Sequence, residues 1–308
     1  MPSAENHAAI EPQLRTVRDW VRWGASAFGR AGLAYGHGTD NALDEAFHLV
    51  AWALKLPWDL PAPYLAAALT DDECRTVHAL LERRIRTRAP AAYLTGEAWF
   101  AGLPFFVDEH VLVPRSPIAE LIEAGFRPWL TTDPRTVLDL CCGCGCIGIA
   151  CALAFPAAEV ELVDVDRSAC AVAERNVARH DLADRVRVLA GDLYAPTAAR
   201  AYDLIVCNPP YVPTAEWQGL APEYRREPRL ALEAGTDGMD IVARVLATAA
   251  DHLAQEGMLV CEVGGSRPLF EARFPDFPAT WPEFERGGDG VFVARRDELA
   301  AWMASRGT

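Results

Sequence analysis

Apolar residues recur at helical spacing from Leu14 to Phe28 and again from Asp40 to Leu54, separated by a loop at Arg30–Thr39. Pro57, Pro61 and Pro63 break the pattern. Thr70 and Glu73 then form a T-x-x-E capping box ahead of a helix running to about Arg88. Residues 1–90 therefore read as a small helical domain. From Ala92 the period shortens. Trp99-Phe100 and Phe105-Phe106-Val107 flank Gly102 as in a hairpin, and Val111-Leu112-Val113 stops at Pro114. A helix from about Pro117 to Phe126 follows.

Beyond Thr136, short apolar runs alternate with amphipathic ones. Strands are predicted at Val137–Leu140, Val160–Val165, Val186–Ala190, Leu204–Cys207 and Met258–Val263. Helices are predicted near Ile147–Phe155, Ser168–Arg179 and Met239–Leu253. Such alternation builds an α/β, Rossmann-like, mostly parallel sheet covered by helices on both faces. Two late strands, near Phe284 and at Gly290–Ala294, bring the expected sheet to seven strands.

Composition narrows the function. With 308 residues and 51% hydrophobic content the chain can bury more than one core. Its formal net charge of −14 argues against a grip on nucleic-acid phosphates and suits a basic protein partner, besides favouring solubility. The nine cysteines are odd in number, and five of them (Cys141, Cys142, Cys144, Cys146 and Cys151) crowd one stretch. That is no disulfide framework, and the polar start shows no basic-then-apolar leader, so a reducing cytoplasm is expected. Leu140 to Ala158 carries no charge, but three glycines and Pro156 interrupt it. It reads as a strand end, a turn and a buried helix rather than a membrane span.

The candidate chemistry sits at the carboxyl ends of the predicted strands. Asp139 is followed by Gly143-x-Gly145-x-x-Gly148, a turn whose backbone amides can approach a ligand closely. Asp164 ends the next strand, where a carboxylate can accept both ribose hydroxyls, and Asp192 follows the third, placed for an adenine amino group. Together they describe an adenosine pocket. Asn208-Pro209-Pro210-Tyr211 comes directly after Asp203–Cys207. The Asn208 side-chain oxygen and the Pro209 carbonyl can accept both hydrogens of one planar NH₂ group. The prolines hold that carbonyl rigidly, and Tyr211 offers an aromatic face to the amide and to a sulfonium. The pattern points to methyl transfer from S-adenosylmethionine to an amide or amine nitrogen.

These residues resemble the protein glutamine methyltransferase family over nearly the whole chain. The likeness is carried by Ala92-Tyr93-Leu94-Thr95-Gly96, Leu112-Val113-Pro114-Arg115, Asp139 to Gly145, Asp164, Asp192 and Asn208 to Tyr211. It implies a class I methyltransferase domain at residues 117–308, a β-hairpin connector at 91–116 and a helical substrate-recognition domain at 1–90. It also implies S-adenosylmethionine on Asp139, Cys141, Cys142, Gly143, Cys144, Gly145, Asp164, Val165, Asp192, Leu193 and Asn208. The catalytic group is expected at Asn208, Pro209, Pro210 and Tyr211, with Asn208, Pro209, Tyr211 and Arg115 on the substrate. Cys142 and Cys144 stand where the family usually has small hydroxyl residues, which puts cofactor affinity in question.

Gly36–Asn41 with Asp44-Glu45-Ala46, Arg115–Ile118 with Glu120, Glu223–Pro228 and Gly287–Phe292 are similar to the branch that modifies a glutamine of the third large-subunit ribosomal protein. The release-factor branch, the alternative, usually has proline and glutamate after the arginine matched by Arg115. An adenine-N6 DNA methyltransferase would share the tetrapeptide but need a basic cleft, so neither DNA nor membrane is expected as a partner. A nicotinamide dehydrogenase leaves Asn208–Tyr211 unexplained, and a non-catalytic binding protein would not need to keep the tetrapeptide. The cysteines lack zinc-ligand pairing, so no metal is expected. Arg83, Arg84, Arg86 and Arg88 read as a solvated face favouring the helix dipole, with incidental ribosomal RNA or an acidic substrate patch as the alternative.

Overall fold

The structure, a computed structural model, describes residues 14–197 and 200–306; residues 1–13 of the polar start read above lie outside them. The chain divides into two compact units. The first runs to Gly96 and also takes in Ala221–Arg226; the second comprises Glu97–Leu220 and the chain from Glu227 onward. The first unit holds as many basic as acidic residues, so the net charge of −14 sits on the second.

The first unit packs α1 (Val17–Ala31), α2 (Ala42–Ala53), α3 (Asp71–Thr87) and the single turn α4 (Ala91–Thr95) around Trp20, Phe28, Leu49 and Leu81. The capping box at Thr70 and Glu73 forms as expected. Thr16 and Asp19 make a second one that opens α1. Each such cap is worth ~1 kcal/mol.

The arginine run at the end of α3 departs from the solvated face expected of it. Arg83 and Arg86 are exposed, but Arg84 is wholly buried, its Nε donating to Glu45 at 2.8 Å, with Glu223 at 3.9 Å. Arg88 donates to Glu223 at 2.7 Å and to the Ala31 carbonyl at 2.6 Å, capping α1. A buried guanidinium needs such partners, and here they come from 39 residues upstream and from the Ala221–Arg226 segment. In the same segment the Tyr224 hydroxyl donates to the Tyr35 carbonyl at 3.0 Å, and its ring lies 4.3 Å from that of His37. Two of the stretches that carried the branch resemblance thus meet inside this unit.

The second unit opens with the hairpin β1 (Glu97–Phe100) and β2 (Leu103–Phe106), turning through Ala101 and Gly102 at φ of 48° and 72°. After α5 (Ile118–Glu123), strands β3 (Thr136–Leu140), β4 (Glu159–Asp164), β5 (Val186–Ala190) and β6 (Tyr202–Cys207) alternate with α6 (Cys146–Ala154) and α7 (Arg167–Arg179). The chain then runs through α8 (Thr214–Gly219), α9 (Asp240–His252), β7 (Leu253–Glu262), α10 (Arg267–Arg273), β8 (Val291–Arg295) and α11 (Arg296–Arg306). Strand order is β5-β4-β3-β6-β7-β8, parallel except for antiparallel β8. Alternate residues serve opposite faces: Leu138, Leu140, Ile205 and Leu259 join Val242, Val245 and Leu299 in one core. The other parity, with Asp139, meets α6.

The sheet has six strands, not seven. The strand expected near Phe284 reduces to one antiparallel bridge, Thr280 to Val293. Pro282 lacks the N–H a ladder needs, and Gly287, Gly288 and Gly290 all take positive φ, which turns the chain out of extended geometry. The uncharged stretch at 140–158 resolves into the end of β3, a turn and α6. No helix among the described residues is long and apolar enough to cross a membrane.

Candidate active site

The order of β3, β4 and β6 reverses the winding of the sheet beside β3, which leaves a crevice beyond the strand ends. A cleft opens there, lined by Val163–Asp166, Cys141–Cys144 and Asn208. Its floor is the turn after β3. Cys141, Gly143 and Gly145 take φ of 58°, 54° and 80°. The Gly145 N–H donates to the Cys142 carbonyl at 2.8 Å, closing the turn. Asp164 fixes it from β4, one carboxylate oxygen accepting from the Gly143 N–H and the other from the Asp166 N–H, both at 2.9 Å. Burial raises this carboxyl above its usual range, and the two N–H groups pull it partly back. Each oxygen keeps acceptor capacity beyond its one N–H donor, and Asp164 lines the cleft.

Asp139 is placed differently from the other candidates. It lies beneath the turn, almost wholly buried, and does not line the cleft. One of its oxygens accepts the Gly148 N–H at 2.8 Å; the other has no partner among the described residues. Burial pushes its carboxyl up to about 8. Gly148 lets the helix sit close to the sheet: an added Cβ would lie 2.2 Å from Leu162 Cδ2 and 3.0 Å from Asp139, so the buried Leu162 side chain would have to move. Asn176, fully buried on α7, donates to the Cys144 carbonyl at 2.9 Å and exchanges bonds with the Phe106 backbone. It ties the hairpin to the turn, and nothing in the sequence marked it.

Cys141, Cys142, Gly143 and Cys144 line the cleft; Gly145 does not. Burial pushes the Cys142 thiol well above its usual range, so it stays protonated and unreactive. Val165 presents a side chain that is 54% exposed, and buried Leu193 and Ile241 of α9 add apolar wall. Asp192 lines the rim, where its carboxylate accepts from Arg244 at 2.6 Å. Asp166, Ala169, Pro228 and Leu230 complete the wall and were not anticipated.

The tetrapeptide begins where β6 leaves its ladder, Cys207 pairing Leu140 on one side and Cys261 on the other. Asn208 and Pro210 line the cleft; Pro209 and Tyr211 do not. Asn208 is half-buried, and its side chain makes no hydrogen bond with any described residue. Tyr211 donates its hydroxyl to Glu262 at 2.9 Å. Burial, then the neighbouring carboxylate, push that hydroxyl well above its usual range. Arg115 lines the cleft with its guanidinium committed: two parallel bonds of 2.7 Å to Glu227, whose carboxylate also accepts from the Val113 N–H at 2.9 Å. No group of three or more His, Cys, Asp or Glu among the described residues is arranged to hold a metal ion.

A family model described as methyltransferase small domain matches residues 127–221. The ribosomal protein uL3 glutamine methyltransferase of Bordetella pertussis is 48% identical over 290 residues, which cover 93% of this chain and 97% of that protein. The protein of the same description from Xanthomonas campestris pv. campestris is 49% identical over 298 residues, covering 96% of each. Among solved structures, a methyltransferase from Pyrococcus furiosus aligns with a TM-score of 0.47 and 19% identity, over 70% of this chain and 96% of that one.

Proposed function

The chain belongs to the ribosomal protein uL3 glutamine methyltransferases, and on that premise we propose that it methylates the side-chain amide nitrogen of a glutamine in ribosomal protein uL3, with S-adenosylmethionine as donor. Its second unit has the class I methyltransferase fold. The observation that carries the chemistry is Asn208: a cleft-lining carboxamide without a partner among the described residues, at the end of the strand beside the glycine turn.

The residues of the cleft fit the donor. Asp164, oriented by two backbone N–H groups, suits the ribose hydroxyls, and the oxygen of Asp192 not taken by Arg244 suits the adenine amino group. Val165, Leu193 and Ile241 provide apolar faces for the base. An added Cβ on Gly143 would meet nothing within 4 Å, so its backbone is open to close approach. When bound, S-adenosylmethionine supplies an electrophilic methyl carbon on a sulfonium.

The Asn208 oxygen, in the cleft, and the Pro209 carbonyl, of a residue just outside its lining, would accept the two hydrogens of the acceptor amide and turn its nitrogen toward the cleft. An amide nitrogen is a poor nucleophile, so most of the acceleration must come from alignment, a source of ~7–11 kcal/mol. As the carbon–nitrogen bond would form, the methyl–sulfur bond would break to leave a neutral thioether, and the surplus proton on nitrogen would pass to water, since Asn208 and Pro209 offer acceptors but no base. The first unit serves substrate recognition in this reading, and the acidic second unit favours encounter with a basic ribosomal protein. Modification of a ribosomal protein belongs in the cytoplasm.

The test is incubation with methyl-labelled S-adenosylmethionine and, separately, unmethylated uL3, unmethylated release factor and duplex DNA. Acid-stable label on one glutamine of uL3 alone is expected. Label on the release factor instead overturns the substrate, and label on DNA alone overturns protein methylation.

A further inference from the structure

The two prolines that make Pro209 a rigid acceptor also remove two backbone donors, and β6 has already left its ladder at Cys207. Regular backbone bonding resumes at Val212, whose N–H donates to the Leu232 carbonyl at 2.8 Å. Something other than the sheet must therefore hold the tetrapeptide still. Three contacts converge on Tyr211, at its end. The hydroxyl donates to Glu262, the main-chain carbonyl accepts from Ser266 Oγ at 2.8 Å, and Gly264 leaves room for the ring, since an added Cβ there would lie 2.7 Å from the hydroxyl oxygen.

Glu262 is the centre of this seat. It ends β7 one residue past Cys261, the register partner of Cys207, and is only 5% exposed. Its second oxygen accepts from Ser116 Oγ at 2.5 Å, and Ser116 follows Arg115, which is held by a further buried carboxylate, Glu227. A buried carboxylate without partners is costly, and here each oxygen has one hydroxyl donor. The chain segment before α5, the end of β7 and the tetrapeptide are joined at one side chain.

We propose that Glu262 is a positioning residue for methyl transfer: through the Tyr211 hydroxyl it fixes the backbone that carries the Asn208 and Pro209 acceptors. It does not touch the reacting atoms. This rests on the glutamine-methyltransferase reading. Loss of the seat lets the acceptor pair drift, and a displacement of ~1 Å costs on the order of 100-fold in rate. The cofactor wall, built on β3 and β4, is left in place.

The experiment compares wild type, Glu262→Gln, Glu262→Leu, Tyr211→Phe and the double variant Tyr211→Phe/Glu262→Leu. It measures kcat and KM on unmethylated uL3, calorimetric affinity for S-adenosylmethionine, and thermal midpoint. Glu262→Leu and Tyr211→Phe are each expected to lower kcat about 100-fold with cofactor affinity within about threefold of wild type. The double variant should be no worse than Glu262→Leu, because both remove one linkage. Glu262→Gln keeps an acceptor for the tyrosine and should retain activity within about tenfold. Losses that multiply in the double variant, or a loss confined to cofactor affinity, overturn the role given to Glu262. Failure of the wild type to label uL3 overturns the function reading instead.

Discussion

Asn208→Ala separates the chemistry from the fold. The side chain is half-buried, lines the cleft and bonds to no described residue, so truncation strands no partner. The expected stability change is within ~0.5 kcal/mol. The cofactor wall is carried by the turn after β3 and by Asp164, so affinity for S-adenosylmethionine should move by less than about threefold. Transfer should suffer far more. One of the two acceptors for the amide is lost, worth ~0.5–1.5 kcal/mol directly. The amide can then rotate about its remaining bond to Pro209, and misalignment adds ~100-fold or more. The sum is a fall in kcat of about 10²–10⁴, or ~3–6 kcal/mol at ~1.4 kcal/mol per decade. Label transfer to uL3 under saturating cofactor, read beside calorimetry on the same preparation, measures both quantities. Retention of more than a tenth of wild-type kcat with intact cofactor binding would refute the amide grip.

Two further outcomes concern stability. Asp139, with its carboxyl pushed up to about 8 by burial, holds its proton more tightly in the folded state than in the unfolded chain, where the value is about 3.9. Its contribution is therefore fully present at low pH, declines as pH rises across that window and levels off above about 8. Urea midpoints between pH 5 and 9 should show that decline, and Asp139→Asn, still an acceptor for Gly148, should flatten it; an unchanged slope would count against a buried protonated carboxyl. Arg84→Met leaves Glu45 buried without its cation, while Glu223 keeps Arg88, and should cost ~3–5 kcal/mol in denaturant unfolding, where a loss below about 1 kcal/mol would mean the network is relaxed by water.

Much of this architecture was legible in the sequence because it is local. Period-2 and period-3.6 patterns gave β3 to β7 and most helices to within a few residues, and the Thr70–Glu73 box marked the start of α3. The tetrapeptide and the turn after β3 were readable because their chemistry depends on adjacent residues. What escaped depends on distant partners. Arg84 and Arg88 read as solvated because Glu223 lies 135 residues beyond Arg88. The bidentate bond of Arg115 was equally invisible, because Glu227 is 112 residues away. Glu262 did leave a signal, a lone charge at the end of the apolar run Met258–Cys261, which marks a buried carboxylate in need of donors. The lost seventh strand was the opposite error, an aromatic taken for a strand despite the proline and glycines around it.

The partition of the first unit has a consequence for how the protein is made. Its buried Arg84–Glu45 pair is completed by Glu223, so a fragment ending at Gly96 would carry the cations without that anion. During synthesis the four amino-terminal helices emerge early but stay incomplete until the Ala221–Arg226 segment has left the ribosome. At ~5–20 residues per second that interval is on the order of ten seconds. Over it, the nascent chain exposes an unfinished helical unit, a period in which a holding chaperone or the nascent strands themselves must keep it from aggregating. The helical unit can close once residue 226 has emerged, while β7 and β8 of the second unit are still to be made. Chains cut before Glu223 should be less stable in the helical unit, because a buried cation lacks one of its anions.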